Sequence, residues 1–328
     1  MPISHEPVTL AHIQQASKRI GDRVVTTPLL YAPRLSELCQ REVYLKCENL
    51  QRTGAFKLRG ALNKVLSIAE HGGAMTGVIT ASSGNHGQAV AYAAALVGLP
   101  CTVVVPENVL AIKEQAILGY GAQVIRCGTT SSERIELAER IAAEKNLKFV
   151  PPYDDPFIVA GQGTVGLEIA EQLPDAAAVI VPVGGGGLLS GVATAIKSLL
   201  PNAAVYGAEP ALANDTYLSR QQGRPVDIGA TSTIADGLRT SHPGEFTFPI
   251  VQKYVDDIVL VSEEEIKAAL TTLLETSKLL VEPSGCTSAA AALKLPELKP
   301  NEDKGPVVCV LSGGNVELST VAELILGR

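Results

Sequence analysis

The sequence has no tryptophan, five phenylalanines and two methionines, and aromatic residues fill only 4% of its 328 positions. Its 46% apolar share therefore rests on Ala, Val, Ile and Leu, a composition that suits helices packed on buried parallel strands. Charge is scarce as well: 19% of residues, with 27 Lys and Arg against 34 Asp and Glu, for a formal net charge of −7. Low charge with high apolar content excludes a disordered chain. Neither sign forms a long block, so nucleic acid is not an expected partner. The six cysteines (Cys39, Cys47, Cys101, Cys127, Cys286, Cys309) include no CxxC pair and have few histidines nearby, which argues against a zinc site and for free thiols in a reducing compartment.

Uninterrupted apolar runs are missing too, although the mean hydropathy is +0.21. Two stretches carry no charge, Thr76 to Pro106 and Ala176 to Ile196. The first is broken by Ser82 to Gly87 and by Gly98 to Pro100, the second by Pro182 and four consecutive glycines. Each is expected to form strand, loop and helix, not a membrane span. The segment MPISHEPVTL has neither the cationic nor the apolar region of a secretion signal, so a cytoplasmic location is expected.

Short Val- and Ile-rich runs alternate with helical patterns, the sequence form of βαβ units around parallel sheets. Strands are predicted at Val43 to Lys46, Gly77 to Ala81, Cys101 to Pro106, Gln123 to Cys127, Val179 to Val183, Ala204 to Ala208, Ile258 to Val261 and Val307 to Leu311. Ser262 followed by Glu265 forms a capping box before a helix predicted to run to about Leu280. A length of 328 residues suggests roughly two domains at about 150 residues each. The turn-rich PPYDDP, Pro151 to Pro156, would make a hinge returning the chain from one sheet to another.

Four segments carry chemistry. In VIVPVGGGGLLSG a buried strand runs through Gly184 to Gly187 into a helix beginning near Leu188. Backbone N–H groups there can close on an anion at a helix N-terminus, and phosphate is the expected guest. No Gly-Lys-Ser/Thr follows, so this is not a Walker A loop. Glu209 falls where a ribose-binding acid would, but the dinucleotide fingerprint fails because its third glycine position is Leu189 or Ser190. A second uncharged turn, Ser82-Ser83-Gly84-Asn85-His86-Gly87, also joins a strand to a helix and suits a carboxylate. In Thr53-Gly54-Ala55-Phe56-Lys57-Leu58-Arg59-Gly60 a lysine flanked by Phe56 and Leu58 has two readings: a surface lysine that snorkels, or one held near a phosphate site, where partial desolvation favours the neutral amine that attacks an aldehyde cofactor. LSGGNVEL, Leu311 to Leu318, repeats the strand–glycine–helix pattern.

TGAFKLRG, SSGNHGQA, PVGGGGLLSG and LSGGN, in this order and at these spacings, resemble the fold-type II pyridoxal-phosphate (PLP) enzymes, and within them the serine racemase and serine/threonine dehydratase group. The resemblance runs from about Ile20 to Leu318. It implies an α/β fold of the tryptophan synthase beta-like kind, with two open, twisted, mostly parallel sheets flanked by helices. A large domain of residues 1–52 and 152–328 and a small mobile domain of 53–151 would hold PLP between them. Lys57 would be the Schiff-base lysine, Gly184, Gly185, Gly186, Gly187 and Leu188 the phosphate cradle, and Asn85 the partner of the ring hydroxyl. Phe56 would pack near the ring and Ser312 face the pyridine nitrogen, where a neutral hydroxyl leaves the ring a weaker electron sink, suited to elimination over transamination. Ser82, Ser83, Asn85 and His86 would surround the substrate carboxylate, with Arg134 moving toward it on closure.

Within the group, the resemblance distinguishes racemases, which carry a serine at position 83 able to hold a proton on the face opposite the lysine, from degradative threonine dehydratases, which typically carry alanine. This chain has Ser83. Gly207 to Asp215 is similar to the racemase cation loop, implying Glu209, Asp215 and the Ala213 carbonyl as ligands of Mg²⁺, Ca²⁺ or Mn²⁺. Gln88, Tyr120, Lys278, Glu282 and Asn315 match parts of a nucleotide effector site, with Arg52 where lysine is common. A homodimer is implied as well. The expected activity is racemisation of serine together with dehydration of serine and threonine, through removal of the Cα proton by Lys57. The alternatives are a threo-3-hydroxyaspartate dehydratase using Arg134 or Arg239 for the extra carboxylate, and a plain L-threonine/L-serine dehydratase. The cation loop argues against a cysteine-synthase-like enzyme, and the presence of both Lys57 and Ser83 argues against a catalytically silent amino-acid sensor.

Overall fold

The Val- and Ile-rich runs pair into two sheets in the computed structural model, which describes residues 7–71, 76–82, 84–109, 111–128, 131–298 and 305–327. In chain order the strands are β1 (Leu29–Tyr31), β2 (Val43–Lys46), β3 (Gly77–Ala81), β4 (Cys101–Val105), β5 (Gln123–Arg126), β6 (Leu147–Phe149), β7 (Ala178–Pro182), β8 (Ala204–Pro210), β9 (Asp257–Val261) and β10 (Val307–Val310). A six-stranded sheet has the order β1-β2-β10-β7-β8-β9 and a four-stranded sheet β5-β4-β3-β6. Every pairing is parallel except β1 with β2. The fold is thus the α/β arrangement of two mostly parallel sheets that the resemblance implies.

Strand composition follows from burial on both faces. Along β7, Ala178 and Ile180 enter one apolar cluster while Val179 and Val181 enter another on the opposite face. On β10, Val307 and Cys309 alternate in the same way with Val308 and Val310. In the smaller sheet Val103 and Val105 face one cluster and Val104 the other. A parallel strand covered on both sides has no need of a polar alternation. The two strands without a predicted counterpart, β1 and β6, are three residues long and lie at sheet edges, where no apolar run is required.

Two helices place the glycine loop. The helix Pro156–Gln172 starts at Asp155, whose carboxylate accepts from the N–H groups of Phe157 (2.8 Å) and Ile158 (3.2 Å), with proline in its first turn. It crosses the helix Gly187–Leu199 so closely that a Cβ on Gly191 would lie 2.4 Å from the Val159 carbonyl oxygen. The Ser262 capping box forms as expected, but the α-helix Glu263–Thr272 gives way to a π turn, Leu273–Ser277, and ends before Leu280. Lys278 in the left-handed region (φ 58°) reverses the chain there, turning Leu279 back beside Leu273 in the core. PPYDDP does carry the chain from the smaller sheet to the larger, with both aspartates hydrogen-bonded: Asp155 to its helix, and Asp154 to the N–H groups of Phe246 (3.0 Å) and Thr247 (3.2 Å). Among the described residues no helix is long and apolar enough to cross a membrane.

Candidate active site

The three glycine-bearing turns meet. They follow β3, β7 and β10 at the C-terminal ends of their strands, where open α/β sheets form ligand crevices, and with the segment ending at Lys57 they line a cavity of about 450 Å³. The Lys57 segment is stitched to the third turn: Phe56 N–H donates to the Ser312 carbonyl (3.0 Å), and Ala55 bridges Gly313. Lys57 then begins the helix Lys57–His71. Its Nζ donates to the Pro152 carbonyl (2.7 Å) and lies 5.2 Å from the Phe56 ring centroid. Burial lowers its pKa from 10.5 to about 8, against the opposing pull of Glu282.

The glycine loop has a reason for each constraint. Gly186 adopts φ +90°, and a Cβ on Gly185 would sit 2.4 Å from the Tyr153 ring. The Gly185 carbonyl is turned away from the cavity to accept from the Thr247 hydroxyl (2.6 Å) and the Gly244 N–H (3.3 Å). The helix that follows begins at Gly187, so the N–H groups of its first turn lack intrahelical acceptors and carry the positive end of the helix dipole. Leu188, 5% exposed, closes this wall.

The helix Asn85–Val97 presents a second set of such N–H groups, with no side chain capping it. The Asn85 amide donates to Glu282 Oε1 (2.8 Å) and its Oδ1 accepts from Asn315 (2.8 Å), so its orientation is fixed from both ends. Burial, then the nearby Asp236, pushes Glu282 up to about 8. His86 is buried, and its pKa falls to about 3, first through desolvation and then through Lys57. A neutral ring whose Nε2 lies 3.1 Å from the Val150 carbonyl commits its proton there, so His86 can offer a carboxylate only its backbone N–H. Ser82 and Arg134 line the cavity, burial lowering the Arg134 pKa, and Ser312, 4% exposed, lines it too. Ser83 lies outside the described residues.

The family of pyridoxal-phosphate dependent enzymes matches residues 20–313. The chain belongs to that family. Among curated relatives it is 46% identical over 319 residues to an L-threonine ammonia-lyase of Geobacter sulfurreducens, spanning 97% of this chain and 78% of that protein. It is 43% identical over 321 residues to the L-threo-3-hydroxyaspartate ammonia-lyase of Saccharomyces cerevisiae, spanning 98% and 97%. The crystal structure of serine racemase from Dictyostelium discoideum superposes with a TM-score of 0.89 at 45% identity, covering 95% of this chain and 99% of that one.

PLP fits this cavity on the structure's own terms: a glycine loop free of Cβ atoms, with helix N–H groups to hold an anion, lines the same cavity as a lysine whose amine burial makes partly neutral. The loop Gly207 to Asp215 can be judged on its donor set in the same way. Glu209 and Asp215 are buried, and burial first, with Asp215 beside it, raises Glu209 to about 8, while burial raises Asp215 to about 7. Two desolvated carboxylates that repel one another, with the Ala213 carbonyl on the same loop, form an oxygen-rich donor set suited to a hard divalent ion. Of the effector candidates, Glu282 and Asn315 line this cavity, whereas Gln88, Tyr120 and Lys278 are not among its lining residues.

Several cavity residues had no functional reading in the sequence. Tyr153 was part of an expected hinge and is the wall behind Gly185 and Gly187. Lys113 and Asp236, both on the cavity lining, form a 2.9 Å ion pair, and Thr240, just beyond the short turn Asp236–Leu238, and Ser284, in the first turn of the helix Pro283–Leu298, line the cavity as well. Only Tyr153, beside two aspartates ahead of a helix, carried a mark that could have been followed.

Proposed function

We propose that this PLP-dependent enzyme is a serine racemase with serine/threonine ammonia-lyase activity, acting on small β-hydroxy amino acids by removing the Cα proton. The observation that carries the proposal is the Lys57 amine, its pKa lowered to about 8 by burial, in a cavity that the glycine loop and the start of the helix Asn85–Val97 also line. When bound, PLP supplies an electron sink for the charge that develops at Cα. Gly184 to Leu188 hold its phosphate, Ser312 faces its ring nitrogen and Phe56 packs beside the ring. Asn85, oriented by Glu282 and Asn315, binds the ring hydroxyl. The N–H groups at the start of the helix Asn85–Val97, with Ser82 and Ser83, hold the substrate carboxylate, and Arg134 closes over it. Lys57 Nζ removes the Cα proton on one face, and Ser83 returns a proton on the other. Loss of the β-hydroxyl, protonated as it leaves as water, before that return releases an enamine, whose imine tautomer is hydrolysed by water to a 2-keto acid and ammonia.

Residues 1–52 and 152–328 form the larger domain and 53–151 the smaller one in this reading, which the separation of the two sheets supports. Glu209, Asp215 and Ala213 hold Mg²⁺, Ca²⁺ or Mn²⁺, the enzyme works as a cytoplasmic homodimer, and a nucleotide effector contacts Gln88, Tyr120, Lys278, Glu282 and Asn315. A second reading, ammonia release from threo-3-hydroxyaspartate, is favoured by Arg134 and Arg239 on the cavity wall, either of which could face a second carboxylate.

The test is a panel of serine, threonine and 3-hydroxyaspartate, scored for keto acid and for inverted enantiomer with and without EDTA. L-Serine should yield both D-serine and pyruvate, and keto acid from hydroxyaspartate alone would move the assignment to the second reading. Lys57→Ala should abolish the visible band of bound PLP and all turnover. Ser83→Ala should lose racemisation while dehydration survives, and equal loss of both would exclude a separate proton carrier.

A further inference from the structure

We infer that Thr240 links the cation loop to the phosphate cradle, so that the ion held by Glu209 and Asp215 tightens the hold on PLP through this one side chain. The inference rests on the cation reading above. The Thr240 hydroxyl lies 3.2 Å from Asp215 Oδ1 and 3.3 Å from Oδ2 and donates to that carboxylate. Its methyl group faces the other way. A Cβ on Gly184, the first residue of the cradle, would meet Thr240 Cγ2 at 3.6 Å and Leu238 Cα at 3.4 Å, so the turn that bears Thr240 packs directly on the cradle. Leu238, Arg239 and Thr240 all line the catalytic cavity.

The turn is held at several points. Thr240 N–H donates to the Leu238 carbonyl (2.9 Å), and Ile228 N–H donates to the Ser241 carbonyl (2.8 Å). On the cation side Glu209 is fixed as well, accepting from the N–H groups of Thr216 (2.8 Å) and Tyr217 (2.9 Å) in the helix that Asp215 begins. An ion shared by the two carboxylates therefore fixes the direction of Asp215. Asp215 fixes the rotamer of Thr240, whose β-branched side chain allows few alternatives. That rotamer decides how firmly the turn presses on Gly184. Thr240 is thus a positioning residue, reaching PLP through the cradle.

The experiment uses full-length protein, with Mg²⁺ against EDTA, and two readouts: the cation-induced rise in Tm, and the PLP dissociation constant from the visible band. In wild type, Mg²⁺ should raise Tm and tighten PLP on the order of fivefold. Thr240→Val keeps the shape and removes the donor; it should keep the Tm rise yet bind PLP equally with and without Mg²⁺. Thr240→Ser, which keeps the donor, should respond as wild type does. A valine variant whose PLP affinity still follows Mg²⁺, or a serine variant that behaves like valine, overturns the link. So does loss of the Tm rise in the valine variant, since Thr240 would then belong to cation binding itself. A wild-type Tm indifferent to Mg²⁺, Ca²⁺ and Mn²⁺ removes the cation reading and this link together, whereas a Tm rise without any change in PLP affinity removes the link alone.

Discussion

Lys57 and Glu282 are ionisable groups of opposite sign in the same cavity, and burial disfavours the charged form of each. At pH 7 a lysine of pKa about 8 is roughly one-tenth neutral, against about one part in three thousand for an ordinary lysine. Uptake of PLP by the apoenzyme should therefore speed up about tenfold per pH unit below pH 8 and level off above it, followed by growth of the visible band. A rate still climbing tenfold per unit at pH 9 would mean that the amine is unperturbed. Linkage gives the stability signs. The folded pKa of Lys57 lies below its unfolded value, so its contribution improves as pH rises from about 8 toward 10.5. Glu282, raised to about 8, contributes fully below about 4.5 and loses that contribution as pH rises through 8. Glu282→Gln keeps an oxygen for Asn85 and should flatten the fall in apoenzyme Tm between pH 5 and 8; an unchanged slope would show that Glu282 is already ionised. Lys57 was legible because its neighbours are apolar in the sequence itself. The Glu282–Asn85 contact joins residues 197 positions apart, which no local pattern records.

At the scale of elements, the signals that could be read were those with a local physical cause. Val- and Ile-rich strands buried on both faces announce themselves, as do a capping box and four consecutive glycines. The edge strands β1 and β6 exist because a neighbour offers hydrogen bonds, and the π turn at Leu273–Ser277 exists because Leu279 must return to the core. The glycine loop shows the same division: the sequence marked the need for glycine, and the structure supplies the reason at Gly185, the ring of Tyr153. Gly185→Ala forces its methyl group into that ring and should destabilise the fold by about 1–3 kcal/mol, with weaker PLP retention. Gly185→Ala combined with Tyr153→Ala should recover part of that loss, because the obstacle is gone. Strict additivity of the two changes in urea unfolding would place the clash elsewhere.

At the scale of the whole molecule, one buried network ties the helix of Lys57 to the larger sheet. Arg59, two residues beyond Lys57 and fully buried, pairs with Glu48 (Nε to Oε2, 2.8 Å) and Glu168 (Nη1 to Oε1, 2.6 Å). Lys46 at the end of β2 meets the same Glu168 at 2.5 Å and also donates to the Thr27 carbonyl (2.8 Å). Two positive and two negative groups cancel. Burial alone would raise the Glu48 pKa, yet Arg59 holds its carboxyl below the usual range. In sequence these residues look like ordinary surface charges, because the pairs span 109 and 122 positions and only the packed helices bring them together. Such a network adds little over a well-packed apolar core, but it is expensive to break on one side. Arg59→Met leaves Glu48 and Glu168 facing each other without their shared cation and should lower stability by about 3–5 kcal/mol in urea unfolding. Adding Glu48→Gln to Arg59→Met removes one stranded charge, so the double variant should be more stable than the single one. If the double variant is instead less stable by the sum of both single changes, the four groups act independently, and the helix of Lys57 is held by its apolar face alone.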